Sequence, residues 1–238
     1  MFRTRVSGVT SIVSGAGSVN PPLVIAIDGP AASGKSSTAK WVAERLGIRH
    51  ADSGALYRAA TAARFRQPGE PATWTQESVI AAAAAVSLAP GETSFDVHLD
   101  GVAAGDVLHS APVTAAVSLA AKMPGVRAWV NERMRECARG TSIVVDGRDM
   151  GSAVFPEARL KIFLVADSWE RARRRLAQRL GRAPREGEIA AETEELVRRD
   201  ALDATQTRQA PDAVLIDTTY LTQEEQVDRI VALAKVVH

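Results

Sequence analysis

The sequence contains Gly29-Pro30-Ala31-Ala32-Ser33-Gly34-Lys35-Ser36, which matches the phosphate-binding pattern G-x-x-x-x-G-K-[ST]. Before it, the apolar residues 23–27 have the composition of a strand that is buried on both faces. After it, apolar residues recur at helical spacing until Gly47, where a helix would end. The order is therefore strand, glycine-rich loop and helix, which is the context that the pattern requires.

Each part of this loop has a chemical task. Backbone N–H groups wrap the β- and γ-phosphates, the helix N-terminus adds a favourable dipole, Lys35 supplies a positive charge, and the Ser36 hydroxyl can ligate Mg²⁺. The alternative is a glycine turn before a structural helix, with a lysine that is merely solvated. Because strand and helix flank the motif, we expect a nucleoside triphosphate to bind at Gly29, Pro30, Ala31, Ala32, Ser33, Gly34, Lys35, Ser36 and Ser37.

The rest of the chain alternates between strand and helix patterns. Further strands are predicted at 143–146, 160–165 and 213–217. This alternation is typical of an α/β fold in which helices flank a parallel sheet on both faces. Between Ser87 and Val107, alternating apolar residues and Asp100-Gly101 predict a small antiparallel hairpin, inserted between helices. We expect this β-containing insert, about residues 58–127, to carry part of an acceptor site. The last helix is predicted to pack on the sheet.

A charged segment, about residues 170–200, follows the strand predicted at 160–165. It has seven arginines between Arg171 and Arg185, and five glutamates between Glu186 and Glu195. The pattern predicts a helical hairpin. One interpretation is a solvated pair of helices stabilised by ion pairs, and the other is a mobile lid over a nucleotide.

Composition excludes several classes of protein. The chain has 238 residues, 46% of them hydrophobic and 24% charged, as in a globular protein with a sizeable core. A net charge of +1 gives no global reason to expect nucleic acid or a membrane as partner, and no apolar run is long enough for a bilayer. The single Cys137 fits a reducing compartment, so we expect a cytoplasmic protein. Residues 1–20 are interpreted as a flexible tail and 21–238 as one domain, by default a monomer.

Two further motifs follow predicted strands: Asp52-Ser53-Gly54-Ala55-Leu56-Tyr57-Arg58 and Val145-Asp146-Gly147-Arg148-Asp149-Met150-Gly151. Since the carboxyl ends of parallel strands share one edge, both motifs should meet the phosphate loop there. These two motifs occur together with the phosphate loop, Pro156 and Arg199-Asp200-x-x-Asp203, in the order found in bacterial cytidylate kinases. The sequence resembles that family from Leu23 to about Leu233. The resemblance implies the fold of P-loop nucleoside monophosphate kinases and phosphoryl transfer from ATP to CMP or dCMP.

The resemblance also implies an acceptor site, made of Ser53, Arg58, Ser118, Arg127, Arg148, Asp149, Arg199 and Asp203. In the family, arginines at the positions of Arg58 and Arg148 grip the acceptor phosphate, for which a bidentate guanidinium is suited. Arg199 and Asp203, at i and i+4, reach the sugar together with Ser118. Taken alone, Arg58 and Arg148 could be ordinary salt-bridge arginines, and Arg199–Asp203 a routine helix ion pair.

The chemistry of cytosine can be compared with these residues. Its amine needs an acceptor, which Asp149 and Ser53 supply, and its ring nitrogen and carbonyl need a donor fork, which Arg127 supplies. Uracil would place a carbonyl against Asp149, and a buried unsatisfied group costs about 1–3 kcal/mol. We therefore expect a preference for CMP over UMP.

Phosphoryl transfer needs positioning and charge rather than a covalent intermediate. Lys35, Mg²⁺ and lid arginines would neutralise the phosphoryl oxygens, with Arg171, Arg174 and Arg175 as lid candidates and Arg174 and Arg175 taken as catalytic together with Lys35. Adjacent helical residues point about 100° apart, so not all of 173–175 can face the nucleotide. Asp146, at a strand end, either contacts Mg²⁺ through water or has a structural role.

The sequence departs from the family pattern after Asp203. Gln206 stands where the family has an arginine, and the following loop is shorter. A shifted loop could deliver the same charge from Arg208, which is a hypothesis. His109 stands where the family often has arginine, and no catalytic role is assigned to it.

Three alternatives remain open at this stage. The chain could be another P-loop phosphotransferase, such as an adenylate, uridylate or small-metabolite kinase, from which Asp149 and Arg127 distinguish it. It could bind nucleic acid through the arginines at 171–185, although interleaved glutamates and a lack of aromatic residues argue against that. It could also be a regulatory ATP-binding protein.

Overall fold

Eight strands occur in the computed structural model, which describes residues 21–237. They are β1 (Val24–Asp28), β2 (Arg49–Asp52), β3 (Val86–Pro90), β4 (Phe95–Leu99), β5 (Val102–Ala103), β6 (Ile143–Gly147), β7 (Leu160–Val165) and β8 (Val214–Asp217). The helices are α1 (Lys35–Leu46), α2 (Ser53–Phe65), α3 (Gln76–Ala82), α4 (Ala111–Lys122), α5 (Pro124–Cys137), α6 (Ser168–Leu180), α7 (Glu186–Asp203) and α8 (Gln223–Val237). The predicted tail at 1–20 lies outside the described residues.

Five strands form a parallel sheet in the order β2-β6-β1-β7-β8. The apolar strand that precedes the glycine-rich loop lies in the middle, where Val24 pairs with Ile143 of β6 and Ile25 pairs with Leu160 of β7. The sequence prediction of an α/β fold with a parallel sheet flanked by helices is confirmed. The carboxyl ends of β1, β2 and β6 therefore lie side by side at one edge.

A hydrophobic core lies on each face of this sheet. On one face, Leu56 of α2 and Met134 of α5 pack with Val145 of β6. On the other, Val42 of α1 and Ile230 of α8 pack against residues of β1 and β7. All five side chains are almost fully buried, and each such burial contributes about 1.5–3 kcal/mol. The predicted packing of the last helix on the sheet is confirmed.

The insert contains a three-stranded antiparallel sheet in the order β3-β4-β5, one strand more than the predicted hairpin. The predicted turn joins β4 to β5, with φ of 52° at Asp100 and 77° at Gly101, a geometry that favours Asp-Gly. The additional strand, β3, pairs along the whole of β4, from Val86 opposite Leu99 to Pro90 opposite Phe95. It directly follows an alanine-rich helical segment, so no turn residue marks its start.

The charged segment forms the predicted helical hairpin, with α6 and α7 joined by a short connection. Its inner faces bury Leu176, Ile189 and Leu196 in a small cluster that includes Ala31 of the glycine-rich loop. The hairpin is thus positioned against the loop that was expected to bind phosphate.

Among the helices described for residues 21–237, none is long and apolar enough to cross a membrane.

Candidate active site

The glycine-rich loop follows the central strand at the carboxyl edge of the sheet. Gly29 has a φ of 152°, and a Cβ added there would lie 2.2 Å from the Leu164 carbonyl oxygen, so no side chain fits. Gly34, with a φ of 86°, stands at the N-cap of α1. The Lys35 Nζ donates a hydrogen bond to the Pro30 carbonyl oxygen at 2.7 Å, so the lysine folds back over the loop. This is the arrangement expected of a phosphate-binding loop.

Two groups of the loop, the Lys35 ammonium and the Ser33 hydroxyl, would gain from an anion beside them. Burial, together with the neighbouring Arg148, lowers the pKa of Lys35 to about 7. The Ser33 hydroxyl is buried and has no hydrogen-bond partner among the described residues. An anion at this position would restore the charged form of the lysine and accept from the hydroxyl. The loop is therefore built to receive negatively charged oxygens.

Ser36 and Asp146 form the oxygen-rich part of the site. The Ser36 Oγ donates to Asp146 Oδ2 at 2.7 Å, and Asp146 Oδ1 lies 2.7 Å from the Nε2 of His50 on β2. Burial lowers the pKa of His50, but its hydrogen bond to Asp146 and the charge of Asp146 outweigh that effect, and the pKa is raised.

The hydroxyl and carboxylate oxygens fit Mg²⁺, which binds through one or two protein oxygens, phosphates and waters. Ser36 and Asp146 are thus the residues through which a cation could be held beside the loop. No cluster of three or more His, Cys, Asp or Glu side chains that could hold a metal occurs in the part of the chain that the structure describes.

Arg127 of α5 and Asp149 of the loop after β6 are in contact. The two side chains form an ion pair, and Asp149 is nearly buried. Ser53, the first residue of α2, lies against the end of β6, where its hydroxyl donates to the Asp146 carbonyl oxygen at 2.8 Å and keeps its lone pairs as acceptors. The structure thus brings the predicted donor fork, Arg127, to the predicted acceptor Asp149. The role of these three residues in reading a base stays a prediction.

The loop that carries Asp149 is fixed by a residue of the central strand. Asp28, the last residue of β1, accepts hydrogen bonds from the Met150 and Gly151 N–H groups, both at 2.8 Å. Burial raises the pKa of Asp28 to about 6 although these bonds oppose the rise. Since Asp28 also precedes the glycine-rich loop, one carboxylate connects the two halves of the site.

Four arginines from four segments lie close enough to repel one another. They are Arg58 of α2, Arg148 of the loop after β6, Arg175 of α6 and Arg199 of α7. Burial is the main cause that lowers the pKa values of Arg58, Arg175 and Arg199; other cations of the group also lower these pKa values, whereas Glu192 raises that of Arg175. The N–H groups of Arg148 donate to the Gly29 carbonyl oxygen at 2.9 Å and to Asp203 at 3.0 Å. We call these four residues the arginine cluster; it suits a polyanionic ligand.

Two members of the cluster show how it is held. Arg58 donates to the Leu108 carbonyl oxygen and to the Thr114 hydroxyl, both at 3.0 Å. Arg199 lies 3.8 Å from Asp203, and its Nε is buried without a hydrogen-bond partner in the described chain. An acceptor oxygen on a ligand would satisfy that group.

The three lid candidates have different surroundings. Arg171 is buried and donates to the Ala31 carbonyl oxygen at 2.8 Å while pairing with Asp200 at 2.7 Å, so it fastens the hairpin to the glycine-rich loop. Arg174 donates to the Thr218 carbonyl oxygen at 2.7 Å, after β8. Arg175 belongs to the arginine cluster. The structure therefore does not bring Arg174 to the cluster; the catalytic roles of Arg174 and Arg175 stay predictions.

The remaining predicted residues are placed less centrally. Ser118 lies on α4 and is partly buried. The backbone N–H of Arg208 donates to the Arg148 carbonyl oxygen at 3.0 Å, whereas its exposed side chain bonds back to the Thr205 carbonyl oxygen. The loop after α7 is therefore next to the arginine cluster through its backbone.

Sequence reasoning missed His50, Asp28 and Thr114. Asp28 carried a usable signal, because an acid that ends a buried strand just before a glycine-rich loop must find a partner at the sheet edge. His50 and Thr114 carried none, because their partners are remote in the sequence.

Comparisons of the sequence with known proteins agree on one family. A sequence model of cytidylate kinases matches residues 25–236. A cytidylate kinase of Limosilactobacillus reuteri (strain DSM 20016) is 38% identical over 217 residues, covering 90% of this chain and 95% of that protein. A cytidylate kinase of Geobacillus kaustophilus (strain HTA426) is 42% identical, covering 88% and 95%. A solved shikimate kinase of Bacteroides thetaiotaomicron superposes with a TM-score of 0.42 at 14% identity, over 90% of this chain and 98% of that one.

Proposed function

The chain belongs to the cytidylate kinase family. From that membership we propose that it transfers the γ-phosphoryl group of ATP to the phosphate of CMP and also to that of dCMP. The observation that carries the proposal is the continuity of the two half-sites. Arg148 is hydrogen-bonded to Gly29 of the phosphate loop. It immediately precedes Asp149, which pairs with Arg127 where the cytosine base is proposed to bind. A nucleoside monophosphate held by Asp149 would therefore present its phosphate to the arginine cluster.

Cytosine recognition rests on the Arg127–Asp149 pair and Ser53. A cytosine amine would donate to Asp149, and its ring nitrogen and carbonyl would accept from Arg127. Arg199, Asp203 and Ser118 are proposed to contact the sugar. An aspartate that accepts a 2-hydroxyl need not reject deoxyribose, and dCMP is included because of the family resemblance.

Charge neutralisation explains the transfer. The loose transition state spreads charge over the phosphoryl oxygens, and preorganised cations stabilise it without reorganising. Lys35 and Arg175 are proposed to act on the transferred group, and Arg58 and Arg148 on the acceptor phosphate. Mg²⁺, held through Ser36 and, by way of water, Asp146, would neutralise charge on the β- and γ-phosphates when bound.

Closure of two segments is proposed to exclude water from the transfer. The insert, about residues 58–127, carries Arg58 and Arg127, and the lid, about residues 170–200, carries Arg175 and Arg199. Bringing both segments onto the phosphate loop would assemble the arginine cluster around the reacting oxygens and remove competing water. We further propose that the chain acts as a cytoplasmic monomer, in keeping with its single, buried cysteine.

The test is an ADP-release assay with ATP and Mg²⁺, in which CMP, dCMP, UMP, AMP and shikimate are offered separately beside a no-acceptor control. Release with CMP and dCMP alone is expected. Lys35→Met should abolish it, whereas Lys40→Met, a matched change at an exposed lysine of the same helix, should not. ADP release that is stimulated by another acceptor, or by none of the five acceptors, contradicts the proposal.

A further inference from the structure

His50 of β2 is buried against the neighbouring strand β6. Its Nε2 lies 2.7 Å from Asp146 Oδ1, and the Asp146 side chain is itself only 2% exposed. On the other edge of β2, the backbone N–H of His50 donates to the Thr93 carbonyl oxygen at 3.0 Å, in the connection between β3 and β4. The imidazole is therefore fixed in position by both neighbours of its strand.

The second oxygen of Asp146 faces the phosphate loop. Oδ2 accepts the hydrogen bond of Ser36 Oγ at 2.7 Å. The terminal torsion of an aspartate is broad, so a single hydrogen bond would leave the carboxylate free to turn. A second bond, at Oδ1, removes that freedom. The three side chains thus form a chain, His50–Asp146–Ser36, that ends at the hydroxyl expected beside the metal.

The direction of the Ser36 proton matters for cation binding. A serine hydroxyl that donates to a carboxylate turns its lone pairs to the opposite side, and lone pairs are what a divalent cation requires. If Oδ2 were displaced, the hydroxyl would adopt other rotamers, and the site would hold the cation less tightly. Groups behind first ligands commonly change metal affinity 10- to 100-fold when removed.

We propose that His50 is a positioning residue for the divalent cation that accompanies ATP: its hydrogen bond to Oδ1 holds Asp146 so that Oδ2 receives the Ser36 proton. The proposal rests on the proposed function, because it presumes that the loop binds ATP with a cation. It concerns the ATP half of the site and makes no demand on the acceptor.

The experiment measures ATP affinity by calorimetry with the full chain, once with MgCl₂ and once with EDTA, and CMP affinity as a reference. His50→Leu removes the donor, and His50→Gln keeps a donor near the Nε2 position. We expect His50→Leu to weaken ATP binding about tenfold or more with Mg²⁺ and to leave binding in EDTA and CMP binding unchanged. His50→Gln should retain most of the Mg²⁺ effect.

Ser36→Ala separates this role from a general structural one. If His50 acts through Asp146 on Ser36, the loss caused by His50→Leu should vanish in the Ser36→Ala background. Urea unfolding shows whether each variant is folded. His50→Asn, whose shorter amide does not reach Oδ1, takes the place of His50→Leu if the leucine variant does not fold.

Two results overturn the proposal: a His50→Leu variant with the full Mg²⁺ effect on ATP binding, or equal losses for ATP in EDTA, ATP with Mg²⁺ and CMP. The outcome is independent of the acceptor, because ATP binding is measured without turnover. A wild-type chain that binds Mg²⁺ and ATP but does not phosphorylate CMP would refute the proposed function and leave the role of His50 to be decided by the same measurements.

Discussion

Arg127 and Asp149 form an ion pair that joins α5 to the loop after β6. Arg127 is the donor fork and Asp149 the acceptor proposed for cytosine, so in the free protein these groups satisfy each other. Removing one partner of such a pair leaves the other uncompensated in a mostly buried position. The pair therefore holds both side chains in place, where the cytosine base is proposed to bind, before a substrate enters.

Asp149→Asn should reduce the preference for CMP over UMP. An amide can turn its N–H₂ toward the uracil carbonyl, whereas the carboxylate leaves that carbonyl opposed by an acceptor. We expect the CMP:UMP ratio of kcat/KM to fall roughly 10- to 100-fold, which corresponds to about 1–3 kcal/mol. Steady-state kinetics with both nucleotides measure it. The exposed Glu224→Gln variant is the control, and an unchanged ratio in Asp149→Asn would show that Asp149 does not read the base.

Arg174→Ala and Arg175→Ala should differ although the residues are adjacent on α6. Arg175 belongs to the arginine cluster, and Arg174 bonds to the carbonyl oxygens of Thr218 and Thr219. We expect Arg175→Ala to lower kcat by roughly 10²- to 10³-fold, as removal of a transition-state donor does. Arg174→Ala should lower kcat by a much smaller factor and decrease the unfolding free energy by about 1–3 kcal/mol.

Single-turnover rates and urea unfolding, measured on both proteins, distinguish the two effects. Equal losses of kcat would mean that Arg174 leaves its carbonyl partners and turns to the nucleotide when the lid closes.

Arg208→Ala tests whether the loop after α7 compensates for Gln206. The Arg208 backbone is hydrogen-bonded to Arg148, so its side chain is close enough to exchange the Thr205 carbonyl oxygen for the acceptor phosphate. We expect the KM for CMP to rise about tenfold, since a charge-assisted hydrogen bond contributes about 1.5–3 kcal/mol. Adding Gln206→Arg should restore much of the loss. Unchanged KM and kcat in Arg208→Ala would reject the hypothesis.

Asp28→Asn should change how stability depends on pH. Burial raises the pKa of Asp28 from 3.8 to about 6, so the folded chain binds this proton more tightly than the unfolded chain does. Ionisation therefore lowers the unfolding free energy as pH rises from about 4 through 6, by up to roughly 3 kcal/mol. The stability of the wild type relative to Asp28→Asn should fall over that range.

Urea unfolding at a series of pH values measures this difference, and Asp96→Asn, at an exposed position, is the control. A wild type that gains stability relative to Asp28→Asn as pH rises would mean that the hydrogen bonds from Met150 and Gly151 outweigh burial.

Local patterns were enough to predict much of this fold. The positive φ of Gly34 and the helical spacing after Lys35 are properties of short segments, and the parallel sheet follows from the alternation of such segments. The family resemblance supplied the activity and the acceptor residues. The site roles and the limits of insert and lid stay predictions.

What could not be predicted depends on distant neighbours. The His50–Asp146 contact joins residues 96 positions apart, and it exists only because β2 and β6 are adjacent in the sheet. Similarly, whether Arg174 or Arg175 faces the cluster depends on the rotation of α6 about its axis. That rotation is set by the partners of α6, Thr218 after β8 and Glu192 on α7. The spacing of side chains shows which residues share a face of a helix or strand, but it does not show which other element covers that face.

The central position of β1 has a consequence during synthesis. Both strands that pair with β1 lie beyond residue 142, so the segment leading into the phosphate loop leaves the ribosome more than a hundred residues before its partners. At about 5–20 residues per second, an apolar strand stays unpaired for several seconds or longer. Pulse proteolysis of nascent chains should find this segment protected from cleavage only after β7 has emerged from the ribosome. Before then, the unpaired strand is open to binding by holdase chaperones.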